Sequence, residues 1–155
     1  MNLILIDDDL LVTTALKIIL EADPEFHVIA TGTSGEEAIM LYDIHRPDLL
    51  LLDIRMKDMS GLDAAQQILQ KHPSARILLL TTFSDDEYIV KALRIGTKGY
   101  LLKQDYAHIT PAIRAVYDGQ TVFGNEIVQR LPDLLQKKET VDFRKFDLSE
   151  KEVDI

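Results

Sequence analysis

Two short apolar runs in the first third of the chain end in acidic residues. Leu3–Ile6 is followed by Asp7–Asp9, and the four leucines of 49–52 are followed by Asp53. Carboxylates of this kind can bind a hard divalent cation, and one of them can act as a nucleophile. Taken singly, each has a plainer interpretation, in which it caps the loop or helix that follows.

A hydroxyl and an ammonium group follow two later apolar runs in the same way. Thr81 comes directly after Ile77–Leu80, and Lys103 comes directly after Tyr100–Leu102. Beside a divalent cation, these groups would form a site for a phosphoryl group, because the cation and the ammonium offset charge on its equatorial oxygens. Thr81 could instead satisfy a loop amide, and Lys103 could be a solvated surface lysine. Four such placements together favour the functional interpretation.

The apolar runs themselves indicate strands that are buried on both faces, as in a parallel sheet. Segments with helical periodicity or a Ser-x-x-Glu capping box alternate with them. We predict strands over 2–6, 27–30, 49–52, 77–80 and 100–102, and helices over 10–22, 34–45, 62–71, 84–95 and 110–118.

Five strands alternating with five helices predict an α/β fold, a doubly wound five-stranded parallel sheet of the flavodoxin-like order 2-1-3-4-5. In this order the first and third strands are neighbours, so Asp7, Asp8 and Asp53 should converge at one edge of the sheet. Ligation by oxygen atoms alone, with no His or Cys in reach, favours Mg²⁺ over Zn²⁺. Asp53 is then the natural nucleophile, which would give an aspartyl-phosphate.

Composition limits the other functions that the chain could have. The 155 residues are 46% hydrophobic and 28% charged, with a net charge of −9 and no cysteine. The absence of cysteine excludes disulfides and thiolate chemistry. The acidic balance argues against nucleic-acid binding by this polypeptide itself. We find no apolar stretch of transmembrane length and no signal peptide, so we expect a cytoplasmic protein that does not contact a membrane.

The alternating pattern covers only the first part of the chain. We assign residues 1–120 to the α/β domain and 121–146 to a helical extension and linker. Residues 147–155 begin a further helix, for which Ser149 and Glu152 form a capping box. Because this helix has hardly begun at Ile155, we expect the sequence to be part of a longer protein.

These motifs resemble the CheY-like receiver domain of two-component response regulators over about residues 1–120. The segment 80–88 is similar to the NarL/FixJ subfamily, and 148–153 resembles the opening of a LuxR-type helix-turn-helix, an output domain that is otherwise missing here. The segments that carry the resemblance are Leu5–Asp8, Leu51–Met56, Ser60–Gly61, Leu80–Phe83 and Gly99–Lys103.

The resemblance implies a phosphorylation site that depends on Mg²⁺. Asp53 would accept a phosphoryl group from the phosphohistidine of a sensor histidine kinase. Asp7 and Asp8 would hold Mg²⁺ together with Asp53 and the backbone carbonyl of Arg55. The protein would not be an enzyme beyond Mg²⁺-dependent phosphorylation and dephosphorylation of itself.

The resemblance also implies a switch that transmits the phosphorylation state. Thr81 would bind a phosphoryl oxygen, Lys103 would pair with the phosphate, and Tyr100 would turn inward as Thr81 moves. Gln104 stands where many receivers have proline, which puts a cis peptide after Lys103 in doubt. The switch would control a dimer, formed through helix 4, strand 5 and helix 5 or through helices 1 and 5. The apolar residues that could form the latter surface are Val12, Leu16 and Ile19 of helix 1 and Ile113, Val116 and Tyr117 of helix 5. DNA would be bound only through the missing domain, in transcription regulation.

Three other functions remain open from the sequence. A pseudo-receiver would act by protein contacts without phosphorylation, although the complete set of strand-end residues argues against it. A flavodoxin-like FMN protein would need a phosphate loop rich in Gly, Ser and Thr after the first strand, where Asp7–Asp9 stands instead. A hydrolase with an aspartyl intermediate would need a second acid/base carboxylate near Asp53, but Arg55 lies two residues on.

Overall fold

The computed structural model describes residues 1–82 and 86–123. The strands are β1 (Asn2–Ile6), β2 (His27–Gly32), β3 (Leu49–Leu52), β4 (Ile77–Thr81), β5 (Gly99–Leu102) and β6 (Val122–Phe123). The helices are α1 (Leu10–Glu21), α2 (Gly35–His45), α3 (Gly61–Lys71), α4 (Asp86–Ile95) and α5 (Ile109–Tyr117), with a 3₁₀ helix over Lys103–His108 before α5. Within the described ranges no helix is long and apolar enough to span a membrane.

The sheet is parallel and has the order β2-β1-β3-β4-β5-β6. The α/β class and the order of the first five strands are therefore confirmed, but the prediction of a five-stranded sheet was wrong. The sixth strand lies in the segment that we had assigned to a helical extension, and it pairs with the outer edge of β5. Val122–Phe123 is too short to show a periodicity, so the sequence gives no strand signal there. The rest of 121–146, and all of 147–155, lie outside the described residues.

The strands are buried because helices cover both faces of the sheet. Leu50, Leu52 and Leu79 pack beneath α2, α3 and α4, whereas Leu49 and Leu51 pack beneath α1 and α5. All four leucines of β3 are at most 2% exposed. Each such side chain contributes about 2 kcal/mol of hydrophobic stabilisation, which explains why the run consists of leucine throughout. The strand can then end in a charged residue without losing its place in the core.

Hydroxyl and carboxylate side chains start three of the helices. Asp9 accepts a hydrogen bond from the Leu11 amide (3.0 Å) and begins α1. Ser34 accepts one from the Glu37 amide (3.1 Å), as the predicted capping box requires. The reciprocal bond is shifted by one residue, since Glu37 accepts from the Thr33 amide (2.7 Å). Ser60 starts α3 in the same way. The predicted cap of α4 at Ser84 lies outside the described residues.

Several element boundaries differ from the prediction. β2 continues two residues further than predicted, and α5 spans Ile109–Tyr117 where 110–118 was predicted. The 3₁₀ helix between β5 and α5 was not predicted. All peptide bonds in the described part of the chain are trans, so the doubt about a cis bond after Lys103 was justified.

The apolar residues considered for a dimer surface on helices 1 and 5 are mostly part of the core. Leu16, Ile113 and Val116 are buried, whereas Ile19 and Tyr117 remain 38% and 41% exposed. Val12 packs partly buried against the same core. The most exposed large apolar side chains of α1 are outside this set: Leu10, Leu11 and Ile18.

Candidate functional site

Two acidic segments meet where β1 and β3 end side by side. Ile6 is in register with Leu52, and the Asp53 amide donates a hydrogen bond to the Ile6 carbonyl (2.9 Å). Asp7 and Asp53 therefore leave the sheet at the same level. Parallel pairing of adjacent strands brings together two residues that are 46 positions apart in sequence.

Three carboxylates converge at this edge. Asp7, Asp8 and Asp53 each offer one oxygen atom, and these atoms all lie within 4.8 Å of one another. The first and third are buried, whereas Asp8 is exposed. A cluster of carboxylate oxygens with one side open to solvent suits a hard divalent cation such as Mg²⁺, which keeps several of its waters. The donor set therefore fits the predicted metal.

Lys103 lies across the cluster, because it follows β5 at the same edge of the sheet. Its Nζ atom is 2.6 Å from Asp7 Oδ2 and 3.4 Å from Asp53 Oδ1, and its side chain is 17% exposed. The other oxygen of Asp7 accepts a hydrogen bond from the Asp9 amide (2.9 Å). The lysine thus binds Asp7 more closely than Asp53, a preference that the sequence does not reveal.

Burial and like charge make the ionised form of Asp53 costly. Burial raises its pKa from 3.8 to about 6, the negative charge of Asp7 acts in the same direction, and the Lys103 ammonium opposes them. Burial would lower the pKa of Lys103, but the hydrogen bond to Asp7 and the charges of both carboxylates outweigh it and raise that pKa. A divalent cation among the carboxylates would remove the repulsion between them.

Thr81 ends β4, the strand beside β3, and Tyr100 lies on the following strand of the sheet, β5. Thr81 is fully buried and is in register with Leu102, one residue before Lys103. Tyr100 is also fully buried and is in register with Leu79, so by the alternation of strand residues Thr81 and Tyr100 share one face of the sheet. The Tyr100 ring stacks on the ring of Phe123 in β6, with centroids 6.4 Å apart and planes inclined by 10°.

The loop that follows Asp53 carries Arg55, which is exposed. This loop returns to β3 at Gly61, whose amide donates a hydrogen bond to the Ile54 carbonyl (2.7 Å). A Cβ atom on Gly61 would lie only 2.0 Å from the carbonyl oxygen of Asp53. From the sequence, Gly61 has no predicted role beyond its place in Ser60–Gly61, one of the segments that carry the resemblance.

Comparison with known proteins extends the similarity beyond this site. A sequence model described as the response regulator receiver domain matches residues 3–114. The transcriptional regulatory protein YdfI of Bacillus subtilis is 34% identical over 153 residues, which cover 98% of this chain and 71% of that protein. The oxygen regulatory protein NreC of Staphylococcus epidermidis is 39% identical over 123 residues, which cover 78% of this chain and 56% of NreC. The chain thus spans only part of the length of these relatives.

Solved structures agree with the sequence comparisons. A LuxR-family two-component response regulator from Aurantimonas superposes with a TM-score of 0.82 at 28% identity, covering 85% of this chain and 95% of that one. A LuxR-family DNA-binding response regulator from Staphylococcus aureus gives a TM-score of 0.71 at 26% identity, covering 75% and 98%.

Proposed function

We propose, for a chain that belongs to the response regulator receiver domain family, that Asp53 accepts a phosphoryl group from the phosphohistidine of a partner histidine kinase. The observation that carries this proposal is the convergence of three carboxylates and Lys103 at the end of β3. Asp53 is the acceptor because Asp7 is already held by Lys103 and by a backbone amide.

The transfer needs an oxygen nucleophile and compensation of charge. A carboxylate oxygen of Asp53 forms the new bond to phosphorus, the bond from phosphorus to the imidazole nitrogen breaks, and that nitrogen keeps the electron pair. Asp7, Asp8, Asp53 and the carbonyl of Arg55 would hold Mg²⁺, which would supply positive charge to the phosphoryl oxygens. Lys103 pairs with the phosphate and thereby offsets charge from the other side.

The effect of the aspartyl-phosphate would be transmitted through β4 and β5. Phosphorylation adds charge and acceptor oxygens at Asp53, which the Thr81 hydroxyl and the Lys103 ammonium can follow. Since Thr81 and Tyr100 share the face of the sheet beneath α4, a movement of one changes the packing of the other. We assign Tyr100 as the switch that alters the surface of α4, β5 and α5.

The output would be transcription regulation in the cytoplasm. The relatives are named as regulatory proteins, and the chain spans 56% to 71% of the two compared above. We propose that phosphorylation controls a dimer of this chain and a LuxR-type DNA-binding domain in the remaining sequence. This chain has a net charge of −9 and would contact DNA only through that domain.

Intact-mass spectrometry tests the proposal. The full chain is incubated with acetyl phosphate and Mg²⁺, and we expect its mass to increase by that of one phosphoryl group. When EDTA replaces Mg²⁺ in the incubation, we expect no increase. Asp53→Ala should abolish the gain, whereas Asp58→Ala, in the same loop but outside the cluster, should retain it. An unchanged gain in Asp53→Ala, or no gain in the wild type, would refute the proposal and leave a phosphorylation-independent receiver.

A further inference from the structure

The backbone of Asp53 is confined on its amino side and on its carboxyl side. On its amino side, the Asp53 amide is bound to the Ile6 carbonyl of β1 (2.9 Å). On its carboxyl side, a Cβ atom placed on Gly61 would be 2.0 Å from the Asp53 carbonyl oxygen, 2.8 Å from its carbonyl carbon and 3.0 Å from Ile54 Cα. The contact surface at Gly61 is therefore backbone, which cannot rotate away as a side chain can.

An alanine at position 61 would have to displace the group that carries the carboxylate. Cβ atoms essentially never come closer than 3.0 Å to such atoms, so Cβ and the carbonyl oxygen would have to separate by at least 1.0 Å (3.0 − 2.0). Because the Gly61 amide is itself bound to the Ile54 carbonyl, part of this movement falls on Asp53. Because β1 holds the amide of Asp53, this movement turns the residue instead of translating it. The contact between Asp53 Oδ1 and Lys103 Nζ is already 3.4 Å long and would not survive such a turn in most directions.

We propose that Gly61 is a positioning residue for the phosphoacceptor: its missing side chain fixes the direction in which Asp53 leaves β3 and so aims the carboxylate at the metal and at Lys103. This inference rests on the proposed function and adds to it a residue that touches neither metal nor phosphate. A misplacement of about 1 Å is enough to slow a chemical step by about 100-fold.

Gly35 provides a matched control within the same chain. Both glycines are the first residue of a helix, and each follows a serine whose hydroxyl accepts a hydrogen bond from an amide three residues on, at 3.1 Å in both cases. Replacement by alanine therefore changes the local helix preference equally. The difference is the neighbour, since a Cβ on Gly35 would meet Met59 Cγ at 2.9 Å, part of a flexible side chain, and the Met59 carbonyl oxygen only at 3.1 Å, against 2.0 Å to the Asp53 carbonyl oxygen at Gly61.

The experiment compares Gly61→Ala and Gly35→Ala in the full chain. Mg²⁺ dissociation constants are measured by NMR titration, and phosphorylation rates by mass spectrometry with acetyl phosphate at saturating Mg²⁺. We expect Gly61→Ala to weaken Mg²⁺ binding by at least about tenfold and to slow phosphorylation by about 100-fold. We expect Gly35→Ala to stay within about threefold of the wild type in both measurements.

The outcomes separate the inference from the function on which it rests. If the wild type is phosphorylated and Gly61→Ala reacts as fast as Gly35→Ala, the positioning role is refuted and the proposed function stands. If the wild type binds Mg²⁺ but is not phosphorylated, the proposed function fails, and the difference in Mg²⁺ affinity between the variants still decides the role of Gly61. A wild type that binds no Mg²⁺ refutes both.

If Gly61 had a merely structural role, its replacement by alanine would lower stability without changing the folded site. Circular dichroism at low temperature therefore checks that each variant is folded when its Mg²⁺ affinity is measured. If Gly61→Ala does not fold, the wild type supplies the test. Mg²⁺ should shift the amide resonance of Gly61, which is bound to the Ile54 carbonyl, more than that of Gly35. Equal shifts would refute the positioning role.

Discussion

Removing the charge of Asp53 should stabilise the folded protein. The carboxylate is buried beside Asp7, and its pKa is raised from 3.8 to about 6, so the native state resists its ionisation. Asparagine has nearly the same shape and no charge. We therefore expect Asp53→Asn to increase the free energy of unfolding at pH 8 in the absence of Mg²⁺, although it removes the nucleophile.

The size of the effect follows from the pKa. The difference between 3.8 and about 6, at about 1.4 kcal/mol for each pH unit, corresponds to about 3 kcal/mol of native-state destabilisation when the carboxylate is ionised. This shift already includes the attraction between Asp53 and Lys103, which opposes the effect of burial. The expected net gain is therefore about 3 kcal/mol at most.

The pH dependence has a definite sign. Because the pKa of Asp53 is higher in the folded state than in the unfolded state, the folded wild type binds the extra proton between about pH 3.8 and 6. The contribution of the protonated Asp53 side chain to stability is fully present below this window and is lost as the pH rises through it. The advantage of Asp53→Asn should accordingly be largest above pH 6 and disappear near pH 4.

Urea unfolding followed by far-UV circular dichroism measures this advantage, in EDTA at pH 4 and pH 8. Asp43→Asn is the control with the opposite sign, since hydrogen bonds to His72 (2.8 Å) and Lys71 (2.9 Å) lower the pKa of Asp43. That variant should be less stable than the wild type at pH 8. If Asp53→Asn is no more stable than the wild type at pH 8, or if its advantage is the same at pH 4, the electrostatic account of the site is wrong.

Three further substitutions test the surroundings of the site. Lys103→Met should lower the free energy of unfolding at pH 8 in EDTA, because the carboxylates lose their cation. Added Mg²⁺ should restore most of this loss. An equal loss with and without Mg²⁺ in urea unfolding would contradict the prediction. Leu50→Ala should cost about 3 kcal/mol of unfolding free energy, whereas Leu11→Ala, at a position 81% exposed, should cost less than about 0.5 kcal/mol; similar losses would refute the assigned burial. Phe123→Ala should change the near-UV circular dichroism of Tyr100, and an unchanged spectrum would refute the stacking in solution.

The elements that the sequence predicts well are those whose signal is local. An unbroken run of leucines is compatible with few structures other than a strand covered on both faces, and a polar residue directly after such a run must lie at the edge of the sheet. Placing Asp53 and Lys103 at one edge required only the parallel order of the strands. The serine cap at Ser34 marks a helix start for an equally local reason.

The features that were missed depend on contacts between distant parts of the chain. β6 forms because Val122 pairs with the outer edge of β5 and the Phe123 ring stacks on the ring of Tyr100. Both residue types favour strands, but a segment of two residues is too short to predict one. The close approach of Gly61 to Asp53 likewise depends on the path of a seven-residue loop (54–60), which composition does not determine.

The distribution of partners in the site explains why one of three carboxylates is suited to react. Asp7 binds Lys103 at 2.6 Å through one oxygen and the Asp9 amide through the other, so both its oxygens are engaged. Asp53 is 0.8 Å further from the same ammonium (3.4 − 2.6) and has the raised pKa. A carboxylate that is buried, poorly compensated and fixed in direction has the most to gain from sharing its charge with a metal and a phosphoryl group. The leucines of β3 make this arrangement possible, because their burial outweighs the electrostatic cost at the end of the strand.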